Sequence, residues 1–172
     1  MHRGRDHFIL TAALVSLLFP FSPSAQPAPR IEPADVQRLA GAPWKGSLTY
    51  LDYASRKPVS IASVLVVTRA DADGRSWRFD YQYPDEPKAN SASNVSIADD
   101  GATIDGERVT ERSVLAGGIV RIVTEKSGQD DRRPAMFRFT YLIDDSSFSR
   151  RKEVKLEGTA DYFERHTYNW TR

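Results

Sequence analysis

Pro43-Trp44-Lys45-Gly46-Ser47-Leu48-Thr49-Tyr50-Leu51-Asp52-Tyr53 places Trp44, Gly46, Leu48 and Tyr50 on one side of an extended chain and Lys45, Ser47 and Thr49 on the other. A period of two with an apolar side and a polar side is the mark of a strand that touches a core on one face. Such a strand has two edges that need partners, and the sequence that follows supplies them.

Val59 to Arg69 is long and rich in valine and isoleucine, and Ala70-Asp71-Ala72-Asp73-Gly74 ends it with turn residues. Ser76 to Tyr83 sets Trp77, Phe79, Tyr81 and Tyr83 against Arg78, Asp80 and Gln82, the clearest alternation in the chain. After the proline-flanked loop Pro84 to Asn90 come short strands at Ser93 to Ala98 and Thr103 to Ile104. Asp105-Gly106 is a hairpin signal leading into Arg108 to Val114. Strands are expected again at Ile119 to Glu125, Met136 to Ile143, Ser149 to Leu156 and Asp161 to Arg172, with Ser127 to Pro134 as a charged loop. In Asp161 to Arg172 the alternation puts Tyr162, Glu164, His166, Tyr168 and Trp170 on one face. In Ser149 to Leu156, Arg150 and Lys152 share a face with Val154 and Leu156, so that face is half solvated or its cations meet something polar.

Upstream of this series, Pro33 to Gly41 has proline at its start, Val36, Leu39 and Ala40 on one helical face and glycine at its end, the pattern of one short helix. The expected fold is all-β: a single antiparallel up-and-down barrel of about 8–10 strands with one short N-terminal helix. The first and last strands are expected to pair and close it, because closure removes exposed edges.

The first 25 residues read differently. A short basic leader is followed by an apolar run from Phe8 to Phe21, broken by Pro20, and by the small residues Ser22, Ser24 and Ala25, the pattern of a cleaved secretory signal. The run is too short for a spanning helix of about 20 residues, so no integral span is expected after cleavage. The expected organisation is a signal peptide at 1–25, a flexible tether at 26–32 and the barrel at 33–172, in a periplasmic or secreted protein.

Removing Arg3, Arg5 and Asp6 with the leader takes 24 basic and 23 acidic residues to 22 of each. A neutral chain with no basic run gives no footprint for nucleic acid, which binds chiefly through phosphate neutralisation. Without a single cysteine, disulfides, thiolate metal sites and cysteine nucleophiles are excluded together. The one histidine past the leader, His166, gives no transition-metal set, and Asp71-Ala72-Asp73-Gly74 lacks the later ligands of a calcium loop. No metal, cofactor or catalytic residue is assigned, and the sequence fixes no oligomeric state. The pairs Asp99-Asp100, Asp130-Asp131 and Asp144-Asp145 fall in expected turns, where solvated aspartates have ordinary pKa values.

The short helix leading into Gly41-Ala42-Pro43-Trp44, with basic residues on the last strand, resembles the lipocalin and calycin group of ligand-binding barrels. In that group the tryptophan sits at the barrel base and a late arginine packs over it. The resemblance implies that role for Trp44, with Arg165 or Arg172 as the arginine. The glycine stands three residues before Trp44 here, where the group has two.

Three functions follow. A barrel interior could bind a small apolar or amphiphilic ligand, or an envelope partner, and the phenols and cations most suited to orient it are Tyr50, Tyr81, Tyr83, Tyr141, Arg150, Lys152, Arg165 and Tyr168. A cofactor-free lyase or isomerase would need a buried carboxylate such as Glu125, Glu153 or Glu164 beside a tyrosine. A scaffold protein would have a closed core and an exposed apolar patch. An outer-membrane barrel, with its aromatic faces outward, is disfavoured by Arg150 and Lys152 on the apolar face.

Overall fold

The computed structural model describes residues 27–52, 54–55 and 57–172. The expected signal peptide, the first tether residue Gln26 and the last residue of the opening stretch, Tyr53, lie outside the described residues.

A five-residue helix, α1 (Pro33–Gln37), precedes ten strands: β1 (Trp44–Leu51), β2 (Pro58–Arg69), β3 (Ser76–Gln82), β4 (Ser91–Ser96), β5 (Thr103–Ile104), β6 (Glu107–Val114), β7 (Val120–Asp130), β8 (Arg133–Ile143), β9 (Ser147–Leu156) and β10 (Phe163–Thr171). They form one antiparallel sheet in the order β4-β3-β2-β1-β10-β9-β8-β7-β6-β5, which is the chain order wrapped round until β1 meets β10. That closing pair runs from Lys45 opposite Thr171 to Tyr50 opposite His166. The remaining seam, between β4 and β5, is held by the bridge of Ile97 with Ile104. The result is a nearly closed up-and-down barrel.

Aromatic side chains fill its base. Trp44, Trp77 and Trp170 are fully buried, and Phe148 stacks on Trp170 at 5.2 Å between ring centroids. Rings of this size bury the largest areas available to a side chain, and stacked pairs add to that gain. These faces point inward, opposite to the outward apolar band of a membrane-spanning barrel. Helix α1 plugs the base: Val36 and Leu39 are core residues, Trp77 Nε1 donates to Gln37 Oε1 at 3.3 Å, and Trp44 Nε1 donates to the Leu39 carbonyl at 2.8 Å. Asp35, itself buried, accepts two hydrogen bonds from Arg112 on β6 and so ties the plug to the wall.

Several expected features differ. Ile31, placed in the tether by the sequence, is buried and its N–H donates to the Gly101 carbonyl at 2.9 Å, so the packed structure begins before Pro33. Ser127 to Pro134 is not a loop: β7 and β8 continue to a tight hairpin with Asp130 opposite Arg133. Its two corner residues, Asp131 and Arg132, have φ of 47° and 64°. Both central residues of a type I′ turn are left-handed, and here no glycine marks it. In β10 the register shifts between Glu164 and His166. This bulge turns Arg165 inward and leaves Glu164 exposed, reversing the expected phase before His166 while keeping it from His166 to Trp170.

Candidate functional site

Above the aromatic base, the barrel encloses a cavity of about 220 Å³. Its floor is Ile31, Val36 and Leu39, and its walls include Phe79, Tyr81, Ile122, Tyr141, Arg150, His166 and Tyr168. Ser91 and Ser93 on β4 and Asp105 at the β5–β6 turn also line it and are exposed, so the cavity reaches solvent along the incomplete β4–β5 seam.

The polar wall is a buried network centred on Glu107, the first residue of β6. Glu107 Oε2 accepts hydrogen bonds from Thr124 Oγ1 at 2.6 Å and from the Tyr141 hydroxyl at 2.7 Å. Its Oε1 takes the Arg150 guanidinium at 3.2 Å, and Arg150 Nε reaches the Tyr141 oxygen at 3.2 Å. Arg150 also lies over the Phe139 ring, 4.6 Å from its centroid. Of the two cations on this face of β9, Arg150 therefore does meet something polar. A buried charge persists only when paired and hydrogen-bonded, and each member of this set has its partners. Burial, reinforced by Glu107, pushes the Tyr141 phenol well above its ordinary range, so it stays a neutral donor.

On the other side Tyr168 and Tyr83 share a hydrogen bond of 2.7 Å between hydroxyls, and Tyr168 stacks on Trp170 at 4.6 Å. Burial raises the Tyr168 phenol, and the bond to Tyr83 adds to the shift. His166 packs edge-on to Tyr168. Burial, with the cations Arg150, Lys152 and Arg165 around it, lowers its pKa to about 4, so the imidazole is neutral near pH 7.

Of the eight residues proposed from sequence, Tyr81, Tyr141, Arg150 and Tyr168 line the cavity. Tyr83 supports it through Tyr168. The other three lie elsewhere. Tyr50 is half-buried opposite His166 in the β1–β10 pair. The Lys152 ammonium sits 3.9 Å from the centre of the Phe137 ring, and burial lowers its pKa. Arg165 pairs with Asp130 at 3.3 Å. Asp130 is accordingly not the solvated turn aspartate the sequence implied: it ends β7 facing inward, and burial raises its pKa. Arg172 is the arginine that covers Trp44, with its guanidinium carbon 4.2 Å from the ring centroid.

The three glutamates weighed for acid–base work stand on the outer wall. Glu125 pairs with Arg108 and Arg138, Glu153 neighbours Arg151, and Glu164 is exposed. The buried carboxylate on the cavity wall is Glu107, which stands between the Asp105-Gly106 turn and the strand expected from Arg108 and was given no role. The available signal was the pair of unexplained cations on β9, which called for an acid somewhere on the same interior. Among the described residues no cluster of histidine and carboxylate side chains is placed to hold a metal ion, and no helix is long and apolar enough to cross a membrane.

Fold and site together define an antiparallel barrel, compatible with the calycin architecture, that holds a partly polar interior cavity. The chain matches no protein-family model and no curated protein.

Proposed function

We propose that this is an exported, lipocalin-like barrel that binds a small amphiphilic molecule inside. The observation that carries the reading is the 220 Å³ cavity with an aliphatic floor, aromatic walls and one polar, hydrogen-bonded side, open at one seam. A pocket that is mostly apolar with a few fixed polar groups is the usual form of a small-molecule site. For scale, an engineered apolar cavity of about 150 Å³ holds benzene, so this one suits a molecule of one or two rings. Export rests on the leader sequence, with the mature chain starting near Gln26.

The test is native mass spectrometry of the protein expressed with its leader and purified from the cell envelope. The expected result is a mature mass beginning near Gln26 and carrying a small-molecule increment that denaturation removes. A bare mature mass from every envelope preparation would overturn the ligand reading, and retention of residues 1–25 would overturn export.

A further inference from the structure

The charges lining the cavity narrow the class of ligand. The cation Arg150 is already bound to Glu107, so it is not an open counter-ion for an acid. Asp105 adds a second carboxylate at the rim. A ligand carboxylate would therefore face Glu107 and Asp105 with only one guanidinium to offset them. A ligand ammonium would find Asp105 only at the exposed rim, because Glu107, the carboxylate inside, is already occupied by Thr124, Tyr141 and Arg150.

Hydrogen-bonding capacity remains. Arg150 uses Nε and Nη2 within the protein, which leaves Nη1 without an acceptor among the described residues. The neutral His166 and the Tyr81 phenol also line the space. Their surroundings keep both uncharged: burial and neighbouring cations hold His166 in its neutral form, and burial raises Tyr81.

Resting on the ligand-binding reading above, we infer that the cavity selects an uncharged ring compound bearing a hydrogen-bond acceptor, such as an aromatic ketone, and discriminates against both acids and amines of the same shape. Arg150 Nη1 would donate to the ketone oxygen while Phe79, Tyr81 and Tyr168 enclose the ring. Removing charge from the ligand avoids burying an ion without a partner, which is the larger penalty in such a space.

The experiment compares acetophenone, benzoate and benzylammonium by titration calorimetry on the full mature protein at pH 7. A Ser93→Trp variant, which blocks the seam from an exposed strand position, serves as the control for where binding occurs. The expected result is acetophenone binding at least tenfold tighter than either ion, with the binding lost in S93W. Equal or tighter binding of benzoate or benzylammonium that S93W also abolishes overturns the selectivity and leaves the cavity a ligand site. No binding by any of the three, or binding indifferent to S93W, removes the ligand reading itself and the selectivity with it. The ranking of the three ligands is read on unmodified protein, and circular dichroism of S93W establishes that the control variant is folded.

Discussion

The guanidinium of Arg172 lies over the ring of Trp44, its carbon 4.2 Å from the centroid, and joins the penultimate strand turn, the helix and the first strand at one point. Its Nη2 donates to the Arg38 carbonyl at 2.9 Å, Nη1 to the Ala40 carbonyl at 3.4 Å and Nε to the Asp145 carbonyl at 3.1 Å. These carbonyls follow α1 and sit in the β8–β9 turn, so Arg172, just past β10, caps the base over a buried indole. A cation over tryptophan contributes about 0.5–1 kcal/mol at an exposed site, and hydrogen bonds to charged groups add to it. Arg172→Ala is expected to cost about 1–2 kcal/mol, read as a lower urea midpoint at unchanged slope. Arg172→Lys should recover only part, because one ammonium cannot both stack on Trp44 and reach three carbonyls.

Gly46 sits opposite Trp170 across the closing pair, and a Cβ built there would overlap the main-chain carbonyl of Asn169. The two backbones are close because no side chain separates them. Gly46→Val is therefore expected to push β1 from β10 and destabilise the barrel by about 1–3 kcal/mol, the usual range for overpacking. Amide hydrogen exchange should show the loss concentrated in Lys45 to Tyr50 and His166 to Thr171. A uniform change along all strands would mean that Gly46 acts elsewhere than at this pair.

These two sites show what was legible beforehand. Alternation is a local signal, so most strands and the barrel class could be read from Trp44, Trp77, Phe137 and their neighbours, and closure followed because free edges are unfavourable. The bulge between Glu164 and His166 left no trace, since alternation continues on both sides of it and only the phase slips. The Asp130 to Arg133 hairpin was hidden because Lys126, Ser127 and Gln129 are exposed and polar and its corner has no glycine. Glu107 and Arg150 are 43 residues apart, and their pairing depends on which faces of β6 and β9 turn inward. No single window of sequence contains that relationship.

The Glu107–Arg150 pair supports its own prediction. With Glu107 3% exposed, removing either partner leaves a buried charge without its opposite, a loss of about 3–5 kcal/mol in comparable pairs. Arg150→Met keeps the volume over Phe139 and deletes the charge, so its cost reports the pair more cleanly than an alanine would. Denaturant melts of R150M, E107Q and the double variant should show the double costing less than the sum of the two singles. Strict additivity would mean that the two groups are not coupled and that the polar wall is not a single network.

His166 ties stability to pH. Burial and the cations Arg150, Lys152 and Arg165 lower its pKa to about 4, below the unfolded value near 6.5. Between those values the unfolded chain binds a proton at this site that the folded chain refuses, so stability rises with pH across that window. The contribution is fully present above about pH 6.5, is lost as pH falls towards 4, and does not change further below that. The size is roughly 2–4 kcal/mol, from about 1.36 kcal/mol per pKa unit. Subtracting the stability curve of His166→Gln from that of the wild type isolates this group from the carboxylates, which titrate in both proteins. The difference should climb from pH 4 to 6.5 and be flat above. A difference that is flat throughout, or that falls with rising pH, would show that His166 is solvated or held by an acid, contrary to its place among three cations on the cavity wall.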